Sequence, residues 1–281
     1  MGDPPSVADL SITALYTSAV WAWGRLPCAE LFATPEAKRV FDVTNAALAV
    51  AAVLRGETPL RYALLHRHAM IDRVVRGSKL RRVVELAAGL SRRGAAFTED
   101  PRLHYVEIDL PPVIAHKRAL LARTAAGRAV LARPNFELVA GDIETIELDA
   151  TEPVFVVAEG LAMYLNAAAR RRLFAKIHRL AERSGELRLA FDLVPTDELP
   201  PPGAAGRMLE AAMKAFTGGQ TFERDARSRQ DVVGELRSAG FAEIEPLASV
   251  DVARAWQLPE PERPTRTLVF TARATSRATR S

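Results

Sequence analysis

Cysteine occurs once in this 281-residue chain, at Cys28. A single thiol excludes an intrachain disulfide framework and predicts a reducing, cytoplasmic setting, with the thiol used as a small core hydrophobe. Long apolar runs are missing too. The longest, about 46–54 between Asn45 and Arg55, is too short to span a bilayer and rich in alanine, which predicts a packed helix and no membrane partner. The opening Met1-Gly2-Asp3-Pro4-Pro5-Ser6 has no basic segment leading into an apolar core, so no secretory signal is expected. Charge of one sign is not in large excess either: the net charge is +4. Basic residues gather at Arg67, Arg73, Arg76, Lys79, Arg81 and Arg82, and in the tail at Arg273, Arg277 and Arg280. No aromatic platform is interleaved with them, which predicts a solvated helix face and a frayed tail rather than a nucleic-acid surface. With 48% hydrophobic and 26% charged residues, what remains is the composition of a soluble globular enzyme.

The most informative stretch that is present runs Arg82-Val83-Val84-Glu85-Leu86-Ala87-Ala88-Gly89-Leu90-Ser91. It reads as a short buried strand emptying into a loop of small residues, where the backbone can approach a ligand closely. Glu85 is out of place in such a strand and needs a partner, either a cationic ligand or nearby backbone N–H groups. Before this strand, residues 1–78 read as three helices: one through Leu15 and Trp21, one through Phe41 to Leu54 and one over Pro59–Arg76. After it, strands at 103–109, 136–140, 154–158 and 187–192 alternate with helices, which specifies a parallel sheet wrapped by helices with right-handed crossovers. The continuous apolar Val154-Phe155-Val156-Val157-Ala158 predicts a strand buried on both faces. A segment over 195–227, too long for a plain connection, reads as an inserted cap. Strands at 241–247 and 267–271 follow, the last expected to be antiparallel through a hairpin-like return. The expected organisation is a helical N-terminal lid over 1–78, a sheet domain over 79–273 carrying the cap, and a flexible tail over 274–281.

In an open parallel sheet, ligands bind at the carboxyl ends of the strands. The first four strands here end at Gly89, Asp109, Asp142 and Glu159. Asp109 stands twenty residues beyond Gly89, the distance at which an acid meets the ribose hydroxyls of a nucleotide-like cofactor. Asp142 is placed to accept from an exocyclic amine and Glu159 from an ammonium group. Each acid taken alone could instead be a helix N-cap.

Three pieces of the chain stand out together: Glu85-Leu86-Ala87-Ala88-Gly89-Leu90-Ser91, Tyr105-Val106-Glu107-Ile108-Asp109-Leu110-Pro111 followed by Lys117, and Glu159-Gly160-Leu161-Ala162-Met163-Tyr164-Leu165. They resemble successive motifs of the leucine carboxyl methyltransferase family, which includes bacterial O-methyltransferases of polyketide biosynthesis. The resemblance covers about 61–192. It implies the class I S-adenosylmethionine (SAM) methyltransferase fold: an α/β, Rossmann-like, seven-stranded sheet, mostly parallel with an antiparallel last strand, plus a helical lid. It also implies roles. Ala87 and Gly89 underlie the methionine part of SAM, Asp109 holds the ribose, and Asp142 with Ile143 lies by the adenine. Glu159 approaches the methionine amino group and Arg67 pairs with the methionine carboxylate. Glu85, within the first motif, reads as a brace for the cofactor loop. Two departures stand out: Ala87 replaces the first glycine of the loop, and Ser91 replaces an aspartate. Alanine is tolerable if its φ stays negative. Arg92 and Arg93 then add cations that could meet an anionic substrate.

The implied reaction is methyl transfer to a carboxylate or hydroxyl oxygen of a small-molecule acceptor. A carboxylate needs no base, whereas a phenol would be helped by one near neutrality. His66 and His68, flanking Arg67, are the candidate bases; His116 and His178 are expected to face solvent. Tyr164 is a candidate pocket residue, and Trp21, Trp23, Leu209, Met213 and Phe216 could line an apolar acceptor site. No metal is expected, and the oligomeric state stays open. Two other readings remain: a nicotinamide-dependent oxidoreductase, disfavoured because Gly-x-Gly-x-x-Gly is absent, and a non-catalytic SAM-fold binding module.

Overall fold

The computed structural model describes residues 12–55, 58–193, 195, 228–263 and 265–276. The chain opens with helices α1 (Ile12–Trp23), α2 (Pro35–Arg55) and α3 (Leu60–Ser78), with a 3-10 turn at Ala29–Phe32 between the first two. The sheet then begins with β1 (Arg82–Leu86), followed by α4 (Arg93–Phe97), β2 (His104–Asp109), α5 (Pro111–Ala122), α6 (Ala125–Leu131), β3 (Phe136–Ala140) and β4 (Val154–Ala158). A 3-10 turn at Ala162–Tyr164 leads to α7 (Ala167–Ser184) and β5 (Glu186–Asp192). The last elements are α8 (Arg229–Ser238), β6 (Ala242–Ala248), α9 (Ser249–Val252) and β7 (Leu268–Thr275).

The seven strands lie in the order β3-β2-β1-β4-β5-β7-β6, with β7 antiparallel to both of its neighbours. The order reverses between β1 and β4, which pair directly. Ligand crevices form at such switch points because the loops leaving the two strands turn to opposite faces. Strand periodicity divides the core. Val84, Leu86, Val106, Ile108, Val154 and Val156 point to the face covered by Phe174 and Ile177 of α7 and by Val232 and Leu236 of α8. Val83, Tyr105, Phe155 and Val157 point to the other face, where Met70, Ile71 and Val75 of α3 pack with Leu120 and Leu121 of α5. All five residues of β4 are buried, as expected of a central parallel strand.

Local signals explain the helix limits. Asn166 caps α7 by accepting from Ala169 N, and Ser228 with Asp231 forms a capping box on α8. The short α4, α6 and α9 are too brief to leave a periodic signature, and the sequence reading did not separate them. The hairpin-like return expected before the last strand is instead a long connection over 249–267 that includes α9. β7 runs to Thr275, two residues beyond the boundary expected at 273. The cap expected over 195–227 lies, Pro195 apart, outside the described residues, as do Leu209, Met213 and Phe216. Among the described residues, no helix is long and apolar enough to cross a membrane.

Candidate active site at the strand ends

The loop after β1 is held from both sides. Ala88 N donates to Ile108 O at 3.2 Å, Ser91 N to Ala88 O at 2.8 Å, and Gly89 N to Asp109 Oδ2 at 2.6 Å. Asp109 Oδ1 accepts from Leu110 N at 2.7 Å. Each oxygen of this carboxylate keeps a further lone pair for a ligand hydroxyl. Burial raises the Asp109 carboxyl above its ordinary value, against the two backbone N–H groups. Helix α1 covers the loop: a Cβ added at Gly89 would lie 3.8 Å from that of Ala14. Gly89 has φ +51°, and so does Ala87 (φ 51°). The condition set for Ala87, a negative φ, is therefore not met. The strand must turn into the loop at this residue, and the methyl group is carried into the left-handed region at a cost of about 1–2 kcal/mol.

Asp142 follows β3, and Gly141 N donates to Asp109 O at 2.9 Å, so the two acids are neighbours along the sheet edge. Asp142 is exposed, and its Oδ1 accepts from Glu144 N at 2.8 Å while its carbonyl accepts from Thr145 and Ile146. Its side chain thus stabilises a turn through Oδ1. Ile143 is partly buried against the core, with its carbonyl held by Lys176 Nζ at 2.9 Å.

Beyond β1, at the end of β4, Glu159 is the hub. It accepts from Arg67 Nε at 2.8 Å, lies 2.9 Å from His68 Nδ1 and pairs with the Arg93 guanidinium. Burial works against its charge, but His68, Arg93 and Arg67 together hold the carboxyl well below the usual range. Arg67 also donates through Nη1 to Asp192 Oδ2 at 3.1 Å, and Asp192 Oδ1 accepts from Gly160 N at 2.5 Å. Among the described residues, Arg67 Nη2 has no hydrogen-bond partner. It points toward Gly160, where an added Cβ would lie 3.5 Å away and φ is +68°.

The reading of Arg92 and Arg93 as cations facing substrate is overturned. Both are buried, at 1% and 0% exposure. Arg92 pairs with Asp72 and reaches Pro27 O, whereas Arg93 donates to Asp72 Oδ1 at 2.7 Å and Glu85 Oε1 at 2.5 Å besides Glu159. A guanidinium spreads its charge over a planar fork, and three carboxylates around it offset its desolvation. Glu85, which also accepts from Tyr105 OH at 2.8 Å, is 2% exposed and sits beneath the loop, behind Arg93.

The two histidines part company. His68 faces the cluster, its ring 4.3 Å from that of Trp21, and its Nε2 has no hydrogen-bond partner among the described residues. Burial and the neighbouring Arg93 push its pKa well below the ordinary value, so it is neutral. His66 is not brought to the site. Its Nε2 lies 2.9 Å from Pro259 O and its Nδ1 3.2 Å from Thr265 Oγ1, so both nitrogens tie α3 to the segment before β7 and neither is left to take a proton. Tyr164 is half-buried in the 3-10 turn after Glu159. His116, expected to face solvent, is buried on α5, and His178 packs edge-on against Phe241. Trp21 is part of the core over His68, while Trp23 packs against Tyr62 and Phe41. The sequence reading missed Asp192, although it ends β5 as the other acids end their strands. It also missed Asp72, whose partners lie far along the chain.

A sequence profile described as leucine carboxyl methyltransferase matches residues 25–178. A protein of Mycobacterium avium (strain 104), named "Putative S-adenosyl-L-methionine-dependent methyltransferase", is 30% identical over 178 residues, covering 59% of this chain and 55% of its own length. A similarly named protein of Parafrankia sp. is 28% identical over 180 residues, covering 59% and 58%. This chain thus spans little more than half the length of these relatives. Among solved structures, an O-methyltransferase family protein from Burkholderia thailandensis superposes with TM-score 0.51 at 15% identity, covering 95% of this chain and 73% of that one. The mitomycin 7-O-methyltransferase MmcR gives TM-score 0.52 at 16% identity, covering 91% and 60%. At these identities the likeness speaks to the fold alone.

Proposed function

This chain belongs to the leucine carboxyl methyltransferase family, and on that premise we propose that it is a SAM-dependent O-methyltransferase acting on a carboxylate or hydroxyl oxygen of a small-molecule acceptor. The observation that carries the reading is the order of groups along one sheet edge. Asp142, Asp109, the Ala87–Gly89 loop, Glu159 (paired with Arg67 of α3) and Asp192 stand at the carboxyl ends of β3, β2, β1, β4 and β5, which are consecutive neighbours in the sheet. That sequence of sites matches a ligand with a base, a ribose and an amino-acid end.

The donor set fits such a ligand. Three guanidinium groups, of Arg67, Arg92 and Arg93, face four carboxylates, of Asp72, Glu85, Glu159 and Asp192, around a neutral His68. One negative charge is left over, complementary to a cationic ligand. Arg67 Nη2 supplies a donor for a carboxylate, and the Asp109 oxygens supply acceptors for a pair of hydroxyls.

SAM, when bound, supplies an electrophilic methyl group for in-line displacement. The protein's part is positioning. Glu159 and Asp192 fix the Arg67 fork from two sides, Asp109 fixes the loop amide of Gly89, and α1 covers the loop from above. Because Arg92 and Arg93 are consumed internally, an anionic acceptor would have to be recognised by other groups. His68 is the imidazole nearest the cluster, but its buried Nε2 would need α1 to shift before it could take a proton from an acceptor. A carboxylate acceptor requires no such step.

Thermal shift with SAM, S-adenosylhomocysteine, NAD and NADP separates this reading from its rivals. Stabilisation by the two sulfur ligands alone is expected. A shift with NAD or NADP alone would replace it by the oxidoreductase reading. Stabilisation by SAM with no methyl transfer to any of a panel of carboxylic acids and phenols would favour a binding module.

A further inference from the structure

Beneath the loop lie two buried glutamates in register on neighbouring strands, Glu85 on β1 and Glu107 on β2. Strand periodicity turns both toward the α3–α5 face, with Val83 and Tyr105. Like charges side by side on adjacent strands repel. Each is matched by a cation from the chain that follows it, Arg93 for Glu85 and Lys117 for Glu107.

The second pair is closed off from solvent. Both side chains are 0% exposed, and the Phe32 ring closes over the ammonium at 5.2 Å. Burial raises the Glu107 carboxyl while Lys117 opposes the shift. Each partner also reaches the chain leaving the loop. Lys117 Nζ donates to Ser91 O at 2.6 Å, and Glu107 Oε1 accepts from Gly94 N at 3.2 Å. Gly94 has no room for a side chain, since a Cβ there would stand 2.5 Å from that same oxygen. The two anchor points bracket Arg92 and Arg93. An apolar pair of equal volume would fill the space without desolvating two charges, so stability is a weak reason for this pair. A fixed geometry is what it adds.

We propose that Glu107 and Lys117 are positioning residues of the cofactor loop, a buried charged clasp that holds Ser91 and Gly94 and so sets Arg93 against Glu159 and Gly89 against Asp109. The clasp is a property of the ligand-free chain; its consequence for binding rests on the methyl-donor reading above.

The test compares the full-length wild type with the double variant Glu107→Leu/Lys117→Met and with Lys117→Arg. Three quantities are measured: melting temperature, affinity for S-adenosylhomocysteine by calorimetry, and amide hydrogen exchange of residues 89–94 without ligand. The double variant is expected to melt close to the wild type, because sparing two charges their desolvation offsets the bonds lost at Ser91 O and Gly94 N. Exchange at Gly89, Ser91 and Gly94 should be at least tenfold faster and Kd at least tenfold higher, with Lys117→Arg returning both to within threefold. Unchanged exchange and Kd in a folded double variant would overturn the clasp. A loosened loop that merely follows a matching drop in melting temperature would overturn it too, because burial alone would then explain the pair. Should that variant not fold, Glu107→Gln/Lys117→Met carries the same outcomes. A wild type that does not bind S-adenosylhomocysteine would remove the methyl-donor reading, and the ligand-free exchange would still decide the clasp.

Discussion

The carboxylate of Asp109 accepts the amide hydrogen of Gly89 at 2.6 Å, tying the end of β2 to the loop that leaves β1. The same group therefore shapes the loop and offers lone pairs to a ligand. Asp109→Asn keeps the size of the side chain but replaces a charged acceptor with a neutral one, and because its Nδ2 cannot accept, either Gly89 N or Leu110 N loses its partner as well. Charge-assisted hydrogen bonds contribute about 1.5–3 kcal/mol each, so affinity for S-adenosylhomocysteine should fall by roughly 10- to 100-fold. Calorimetry checks this, and an affinity within twofold of wild type would remove Asp109 from the ribose role.

Asp109 also sets a pH dependence. Burial raises its folded-state pKa, so the carboxylate protonates at a higher pH than the ordinary value of about 3.9. Binding that needs the ionised form is fully present above the raised pKa and is lost as pH falls through it. Affinity measured from pH 7.5 downward should weaken before the ordinary aspartate range is reached, and Asp109→Asn should lack that limb. Parallel profiles would assign the titration to another group.

Ala87 carries a φ of 51° where the chain turns out of β1. Glycine at this position removes the steric penalty but gives up some packing of the methyl group and adds unfolded-state entropy. The first effect is about 1–2 kcal/mol and should win. Ala87→Gly is expected to raise stability by roughly 0.5–1 kcal/mol, or about 1–4 °C in melting temperature. A loss of stability would mean that the methyl packing outweighs the strain.

The sheet and the strand-end acids were legible in the sequence because both follow from local pattern: apolar runs of strand length, each closed by a small or acidic residue. The fates of the basic residues were not. Arg92-Arg93 after a loop has the look of a solvated turn, and only contact with Asp72 on α3, Glu85 on β1 and Glu159 after β4, three separate elements, makes burial tolerable. His66 and His68 are two residues apart on one helix, yet Pro259 and Thr265 take one and Glu159 the other. No single stretch of sequence encodes that division. Asp192 could have been found by the rule that found the other acids, since it too ends its strand.

Three buried histidines, His66, His68 and His116, have pKa values lowered by burial. In the unfolded chain each titrates near 6.5, so below that pH the unfolded state binds more protons than the folded one. The stability that their neutral forms contribute is complete above about pH 6.5 and declines as pH falls toward the lowered folded values. Urea unfolding of the wild type and of His68→Gln at pH 7.5, 6.5 and 5.5 should show the wild type losing stability relative to the variant below pH 6.5, a comparison that cancels Glu107 and Asp109, whose raised carboxyls work in the opposite sense. Parallel profiles in the two proteins would mean His68 is not neutral in the native state.

Arg93 offers the sharpest test of the buried cluster. Its fork reaches Asp72, Glu85 and Glu159 at once, which a lysine ammonium, a point donor on a flexible stem, cannot do. Arg93→Lys keeps the charge and loses the fork, and should cost about 2–4 kcal/mol through carboxylates left without a donor. Arg93→Met removes the charge as well and should cost about 3–5 kcal/mol, since four carboxylates would then face only Arg67 and Arg92. Adding Glu85→Leu to Arg93→Met takes away one of the stranded acids and should recover part of the loss, a coupling read from a double-mutant cycle. Were Arg93→Lys within about 1 kcal/mol of wild type, the fork geometry would be incidental, and the charge alone would hold Glu159 in place.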